Sequence, residues 1–136
     1  MLIVMCHGFQ GSSYDMMILF RYLKEMLPNA NFLISRSNEG ETEGSIEEMG
    51  ERVAFEVKNY IRNYLDHEEV IINFIGHSMG GIIARASLKH LKKFENRFGF
   101  YCSLSSPHLS YLNGVGGMIQ AGLWFLRTFK TVQSLK

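Results

Sequence analysis

The chain has 136 residues, 46% of them hydrophobic and 20% charged, with a formal net charge of +1 at pH 7. That size and composition fit one folded domain over residues 1–136 with a single core, and exclude a disordered or fibrous chain. A charge so close to zero provides no basic field to neutralise several phosphates, so nucleic acid is not an expected partner.

The two cysteines, Cys6 and Cys102, lie in apolar, strand-like runs without a CxxC spacing. They read as buried thiols in a reducing compartment rather than as a disulfide or zinc ligands. No run reaches the roughly 20 apolar residues that a membrane helix needs, and the opening "MLIVMC" is too short for a signal-peptide core. An intracellular protein is expected, one that begins directly in a strand.

The apolar run at residues 2–6, closed by His7-Gly8, predicts a first strand buried on both faces. After "HGFQG", Ser12 and Asp15 have the spacing of a capping box, and Met16, Leu19, Phe20, Leu23, Met26 and Leu27 follow at helical intervals up to Pro28. Residues 31–36 predict a second strand, and the polar "SNEGETEG" a loop. Ser45 and Glu48 form a second capping-box pattern, ahead of a long helix with Ile46, Met49, Val53, Val57, Ile61 and Leu65 on one stripe. The β-branched "VIINFI", residues 70–75, predicts strand three. From Gly81 the pattern becomes a helix with Ile82, Ile83, Ala86 and Leu91 inward and lysines outward. Residues 98–104 predict strand four, and "GVGGMIQAGLWFLRTFKTV" a closing helix. Alternating strands and helices imply an α/β fold, a mostly parallel sheet with helices on both faces. Ligands of such sheets bind at the carboxyl ends of the strands, where "HGFQG", "GHSMGG" and "SSPHLS" all fall.

Gly76-His77-Ser78-Met79-Gly80 reads G-x-S-x-G between a predicted strand and a predicted helix, the context that gives this short pattern its meaning. A serine on so sharp a turn needs neighbours without side chains, so that strand and helix can approach. The helix that follows aims its free amides and positive end at the serine, where a tetrahedral oxyanion would form. The Met79 N–H is the first candidate donor. The Phe9 N–H, in the loop after strand one, is the second.

With "CHGFQGSSYDM", "NEGETEGSIEEMGERVAFEV", "FIGHSMGGIIARASL" and "SLSSPHLSY" in that order, the chain resembles the serine esterase, or lipase-like, domain family of the α/β-hydrolase superfamily, in its N-terminal half. The resemblance runs through almost the whole chain, and the acidic "TEGSIEEMGER" is its most particular segment. It implies a partial α/β-hydrolase fold, Ser78 as nucleophile, the backbone of Phe9 and Met79 as oxyanion hole, carboxylic esters (lipid esters among them) as substrates, and no cofactor. In this fold the triad acid and histidine follow the nucleophile on later loops, whereas Glu95 is the only acidic residue after Ser78.

Of the five histidines, His77 should project away from its neighbour Ser78 and pack under the turn. His90, among lysines, reads as a solvated surface residue, and His67 as a helix-end residue. His7 is expected to brace its loop. His108 ends the strand predicted to neighbour strand three, within reach of Ser78, and is the candidate base inside the chain; bracing the "SSPHLS" loop is its favoured reading. Glu39, Glu41, Glu43, Glu47, Glu48 and Glu51 straddle a loop and a helix start without metal-ligand spacing, and read as a solvated face that favours the helix N-terminus. Core packing is the favoured reading of "MIQAGLWFLRTF" over a lipid-facing lid.

The resemblance implies that the strands stand in the order second, first, third, fourth, with apolar outer edges open to pairing. Two functions then compete. One is the N-terminal half of a serine esterase whose remainder supplies Asp and His. The other is a noncatalytic, hydrolase-like accessory subunit whose protein partners cover those edges.

Overall fold

Five consecutive apolar residues leave no polar face, and Leu2–Cys6 forms a strand, β1, buried along its whole length. It lies inside a parallel sheet whose other members are β2 (Asn31–Ile34), β3 (Ile72–His77) and β4 (Phe98–Leu104), in the order β2-β1-β3-β4. Each parallel pair requires a crossover, and these contain the helices α1 (Met17–Met26), α2 (Ile46–Tyr64) and α3 (Met79–Ser87). The structure, a computed structural model, describes residues 1–65 and 70–108. Its contacts divide into two units, Met1–Ser106 and Pro107–Lys136. The sheet and all three helices belong to the first.

Side chains alternate across the sheet and divide the core into two layers. Ile3, Met5 and Ile75 meet Met16 and Ala30, with Leu19, Phe20 and Leu23 of α1 and Phe32, Ile34 and Cys102 of the strands around them. Leu2, Val4, Cys6, Ile72 and Phe74 alternate with these and are buried, as are Met49, Val53, Val57 and Ile61 of α2 and Ile82, Ile83 and Ala84 of α3. The two helices come close where Gly50 faces Ala86: a Cβ on Gly50 would stand 2.8 Å from the Ala86 backbone. The outer face of α1 carries the exposed Ile18, Tyr22 and Met26.

One polar residue is built into the sheet. Asn73 is 3% exposed; its Nδ2 donates to Leu2 O at 3.1 Å, and its Oδ1 accepts the Phe100 N–H at 2.9 Å. Between Ile72 and Phe74 the register on β4 advances from Phe98 to Tyr101, a bulge, and the Asn73 amide occupies the space beside Gly99. A Cβ on Gly99 would lie 2.2 Å from Asn73 Oδ1.

Helix starts differ from the expected ones in instructive ways. The Ser12 cap begins a 3-10 turn, Ser13–Met16, before α1, and Asp15 Oδ2 accepts the Ser12 N–H at 2.8 Å. Ser45 caps α2 through the Glu47 N–H, one residue earlier than a capping box requires. Helix α3 begins at Met79, directly after Ser78, and its continuation Leu88–Arg97 is a 3-10 segment kinked at Leu91. Strand β2 is shorter than expected, and β3 runs two residues further, to His77. His67, in 66–69, and the expected closing helix, in 109–136, lie outside the described residues.

Cys6 and Cys102 are free thiols. Cys6 pairs with Gly76 of β3, and Cys102 with Ile75 on the far side of that strand, so a whole strand separates them. Burial pushes the Cys6 thiol up to about 12, with the Glu56 carboxylate adding to the shift.

Candidate active site

The turn that joins β3 to α3 is built by close contacts between backbones. A Cβ on Gly76 would stand 2.3 Å from Gly81 N and Cα, and one on Gly80 would stand 2.2 Å from Cys6 O and 2.4 Å from His7 O. No side chain fits at either position. Ser78, between them, has φ 54 and ψ −125, which is the first central position of a type II′ turn and belongs to glycine. Its hydroxyl-bearing side chain is held there against the conformational preference of the residue.

The loop after β1 lies against this serine. A Cβ on Gly8 would come within 3.0 Å of Ser78 Cβ and 3.4 Å of Ser78 Oγ, so the absence of a side chain is what allows the approach. Phe9 follows Gly8 directly. Gly8 O accepts the Gly11 N–H at 3.1 Å and lies 3.0 Å from His7 Nδ1. A carbonyl only accepts, so His7 carries its proton on Nδ1. The Gly8 carbonyl and the Phe9 N–H share one planar peptide, and fixing the first orients the second. Met79, 6% exposed, opens α3, where the first amides have no partner within the helix. Ser78, the Gly8–Phe9 peptide and the first turn of α3 therefore meet at the carboxyl ends of β1 and β3.

Two of the histidines of the first unit are engaged away from Ser78. His7, buried, is turned to Gly8 O as a loop brace. His77 is half-buried, opposite Leu104 in the strand register. His90 is not the solvated residue expected from its lysine neighbours, because its Nε2 lies 2.9 Å from Glu47 Oε1, which Lys89 also contacts. Among the described residues of this unit, no histidine is hydrogen-bonded to Ser78. His108 belongs to the second unit. Among the described residues, no group of three or more His, Cys, Asp or Glu side chains could hold a metal. No described helix is long and apolar enough to cross a membrane.

The carboxylates of the acidic segment are solvated as expected, with Glu39, Glu41, Glu43, Glu48 and Glu51 exposed, and some of them also brace neighbouring loops. Glu39 Oε1 accepts the Ser13 N–H at 2.7 Å, and hydrogen bonds from Ser13 hold this carboxyl below its ordinary value. Glu56 accepts from Ser35 Oγ at 2.6 Å and from the Arg36 amide at 3.1 Å. Thr42 Oγ1 accepts the Gln10 N–H at 2.8 Å, and Glu43 accepts from the Gln10 side chain at 3.2 Å. Thr42 and Gln10 were not singled out in the sequence. Their signal is the turn "GFQG", which places a glutamine where a left-handed residue is required.

The mature form of a lipase from Bacillus licheniformis, BlEst2, is similar in fold, with a TM-score of 0.56 and 19% identity over 78% of this chain and 40% of that one. Its propeptide form gives 0.53 and 20% over 82% of this chain and 24% of that one. The chain thus spans about two fifths of the length of the mature lipase, and its sheet is part of an α/β-hydrolase fold. Over residues 1–136 the sequence matches the family described as "Putative serine esterase (DUF676)", and the chain belongs to that family.

Proposed function

We propose that this chain carries the nucleophile and the oxyanion hole of a serine hydrolase that acts on carboxylic esters, lipid esters among them. Ser78 Oγ bonds to the ester carbonyl carbon while its proton passes to a general base. The Phe9 and Met79 N–H groups receive the negative charge on the carbonyl oxygen, a contribution of about 3–4 kcal/mol to the transition state. Collapse breaks the ester C–O bond, and the alcohol leaves with the proton held by the base. Water then attacks the acyl-serine by the same route and releases the acid.

The observation that carries this reading is the backbone of Ser78, φ 54 and ψ −125, with Gly8 packed against its side chain. A strained non-glycine residue needs a reason to persist, and exposing a hydroxyl at the top of a sheet is such a reason. The reading assigns the base and acid to residues that follow β4 in the complete fold; His108 is the alternative base within this chain. Family membership supports the ester as substrate. The test is labelling of the purified chain with a fluorophosphonate, compared with Ser78→Ala. Labelling that requires Ser78 supports the reading, and its absence removes the claim that these residues form an active hydrolase.

A second reading is favoured by the engagement of His7 with Gly8 O and of His90 with Glu47. On this reading the chain is a noncatalytic, hydrolase-like accessory subunit. Protein partners would cover the outer strands β2 and β4, where Phe100, Tyr101 and Leu104 are exposed. It predicts no labelling and burial of β4 in a complex.

A further inference from the structure

The acidic loop touches the oxyanion loop through a single buried hydroxyl. Thr42 is 2% exposed, and its Oγ1 accepts the Gln10 N–H at 2.8 Å across 32 residues of sequence. Gln10 is at φ 51, a left-handed value that an unbranched polar side chain adopts with strain. Gly11 N–H bonds to Gly8 O, so Gly8 to Gly11 form a turn with Phe9 and Gln10 at its centre. Of the two common turns, only type II has positive φ at the second central residue, and it selects glycine or asparagine there. A glutamine at that position favours the type I form, which differs mainly by a flip of the peptide between the two central residues. That peptide is the one whose N–H Thr42 holds.

We propose that Thr42 is a positioning residue for the Phe9 donor, an inference that rests on the hydrolase reading above. Its hydroxyl locks the Phe9–Gln10 peptide in the type II sense, and so fixes the turn whose first peptide, Gly8–Phe9, carries the donor. The clamp is itself anchored. Asn38 O accepts the Glu41 N–H at 3.1 Å, and Arg52 of α2 reaches Asn38 Oδ1 at 2.7 Å and Glu41 O at 3.0 Å. Asn38 Nδ2 donates to Met49 O at 3.1 Å. A rigid path thus runs from α2 through the acidic loop to the oxyanion loop. The Gln10 side-chain bond to Glu43 is exposed, and adds little to it.

The experiment uses the whole 136-residue chain and compares Thr42→Val, which keeps the shape and removes the hydroxyl, with Thr42→Ser, which restores it. Two quantities are read: the rate of Ser78-dependent fluorophosphonate labelling, and the shift and hydrogen exchange of the Phe9 and Gln10 amides by NMR. The Val variant should label about 10- to 100-fold more slowly, as a displacement of the order of 1 Å at a reacting centre does. The Ser variant should label close to the wild-type rate. Equal rates for Val and wild type, or an equally slow Ser variant, overturn the proposal. If the wild type does not label, the claim that these residues by themselves form an active hydrolase falls, and the amides decide the Thr42 clamp. Lost protection and shifted resonances at Gln10 in the Val variant uphold the clamp, and unchanged ones overturn it. Should the Val variant fail to fold, Thr42→Ala takes its place in both measurements.

Discussion

The backbone N–H of Ser78 donates to Leu104 O at 2.8 Å, so the most strained serine of the turn is also the last rung of the β3–β4 ladder. Strand pairing extends one residue beyond β3 itself and fixes the turn from the side of β4. The strain is therefore held by the sheet and not only by the glycines around it. The strand that ends in Leu104 acts as a support for the proposed nucleophile, and each rung between His77–Leu104 and Ile75–Cys102 contributes to that support.

Replacing Ser78 by glycine should stabilise the fold. Glycine adopts φ 54 without penalty, whereas serine at that value carries strain of about 1–3 kcal/mol, reduced by the roughly 0.4–1 kcal/mol that glycine costs through the freedom of the unfolded chain. A net gain of about 1 kcal/mol, or a rise in Tm of about 3–5 °C, is the expected outcome of urea and thermal denaturation. A loss of stability would mean that Ser78 is not strained in the folded protein.

The glycines of the chain are not equivalent, and alanine substitution should separate them. In Gly80→Ala the new methyl would stand 2.2 Å from Cys6 O, a backbone atom of the central strand that has nowhere to move. A cost of about 2–4 kcal/mol follows, from overpacking between β1 and α3. In Gly44→Ala the methyl would meet only the Glu48 carboxylate, at 3.7 Å. That change should stay within about 0.5 kcal/mol. Comparable losses in the two variants would contradict the packing described for the turn between β3 and α3.

Asn73 links β1 to β4 through β3, and its removal should loosen both pairings. Asn73→Ala removes the side-chain donor to Leu2 O, and the Phe100 N–H must find water. The expected loss is about 2–3 kcal/mol, with the amides around Gly99 becoming the least protected of the sheet in hydrogen exchange. Asn73→Asp keeps the acceptor for Phe100 but sets a carboxylate oxygen against Leu2 O, and should be at least as damaging at neutral pH. An Asp variant as stable as the wild type would show that the Leu2 bond contributes nothing.

The strands and helices were legible in the alternation of apolar runs with amphipathic stretches, because burial imposes periodicity on the sequence, whereas the order β2-β1-β3-β4 followed from the resemblance to α/β-hydrolases. The G-x-S-x-G turn was legible for a related reason, since crowding admits only glycine at Gly76 and Gly80. Hydrogen bonds between distant polar residues leave no such trace. Asn73 lay inside a run read as apolar, Thr42 and Asn38 lay inside a loop read as solvated, and all three are buried. Their partners are 71, 32 and 11 residues away in sequence, and no period relates them. His90 was misplaced for the same reason: its partner Glu47 is 43 residues earlier, at the start of α2. The kink at Leu91, which turns the helix after α3 into a 3-10 segment, likewise had no glycine or proline to announce it.

That Glu47 cluster makes the acid limb of stability testable. The hydrogen bond from Lys89 foremost, opposed by desolvation and aided by the hydrogen bond from His90, holds the Glu47 carboxyl below its ordinary value of 4.5. A carboxyl depressed in the folded protein binds its proton more readily in the unfolded chain. Its stabilising effect is therefore complete above about pH 4.5 and is lost as pH falls through the lower, folded value. Glu39, depressed by Ser13, acts with the same sign. Urea midpoints measured from pH 6 to about pH 3 should fall more steeply for the wild type than for Glu47→Gln, which cannot titrate, and the two curves should converge at the acid end. Because the group is exposed, 0.5 M NaCl should narrow the gap at pH 6. Parallel curves over the whole range would show that the contact of Glu47 with Lys89 and His90 does not favour the folded state.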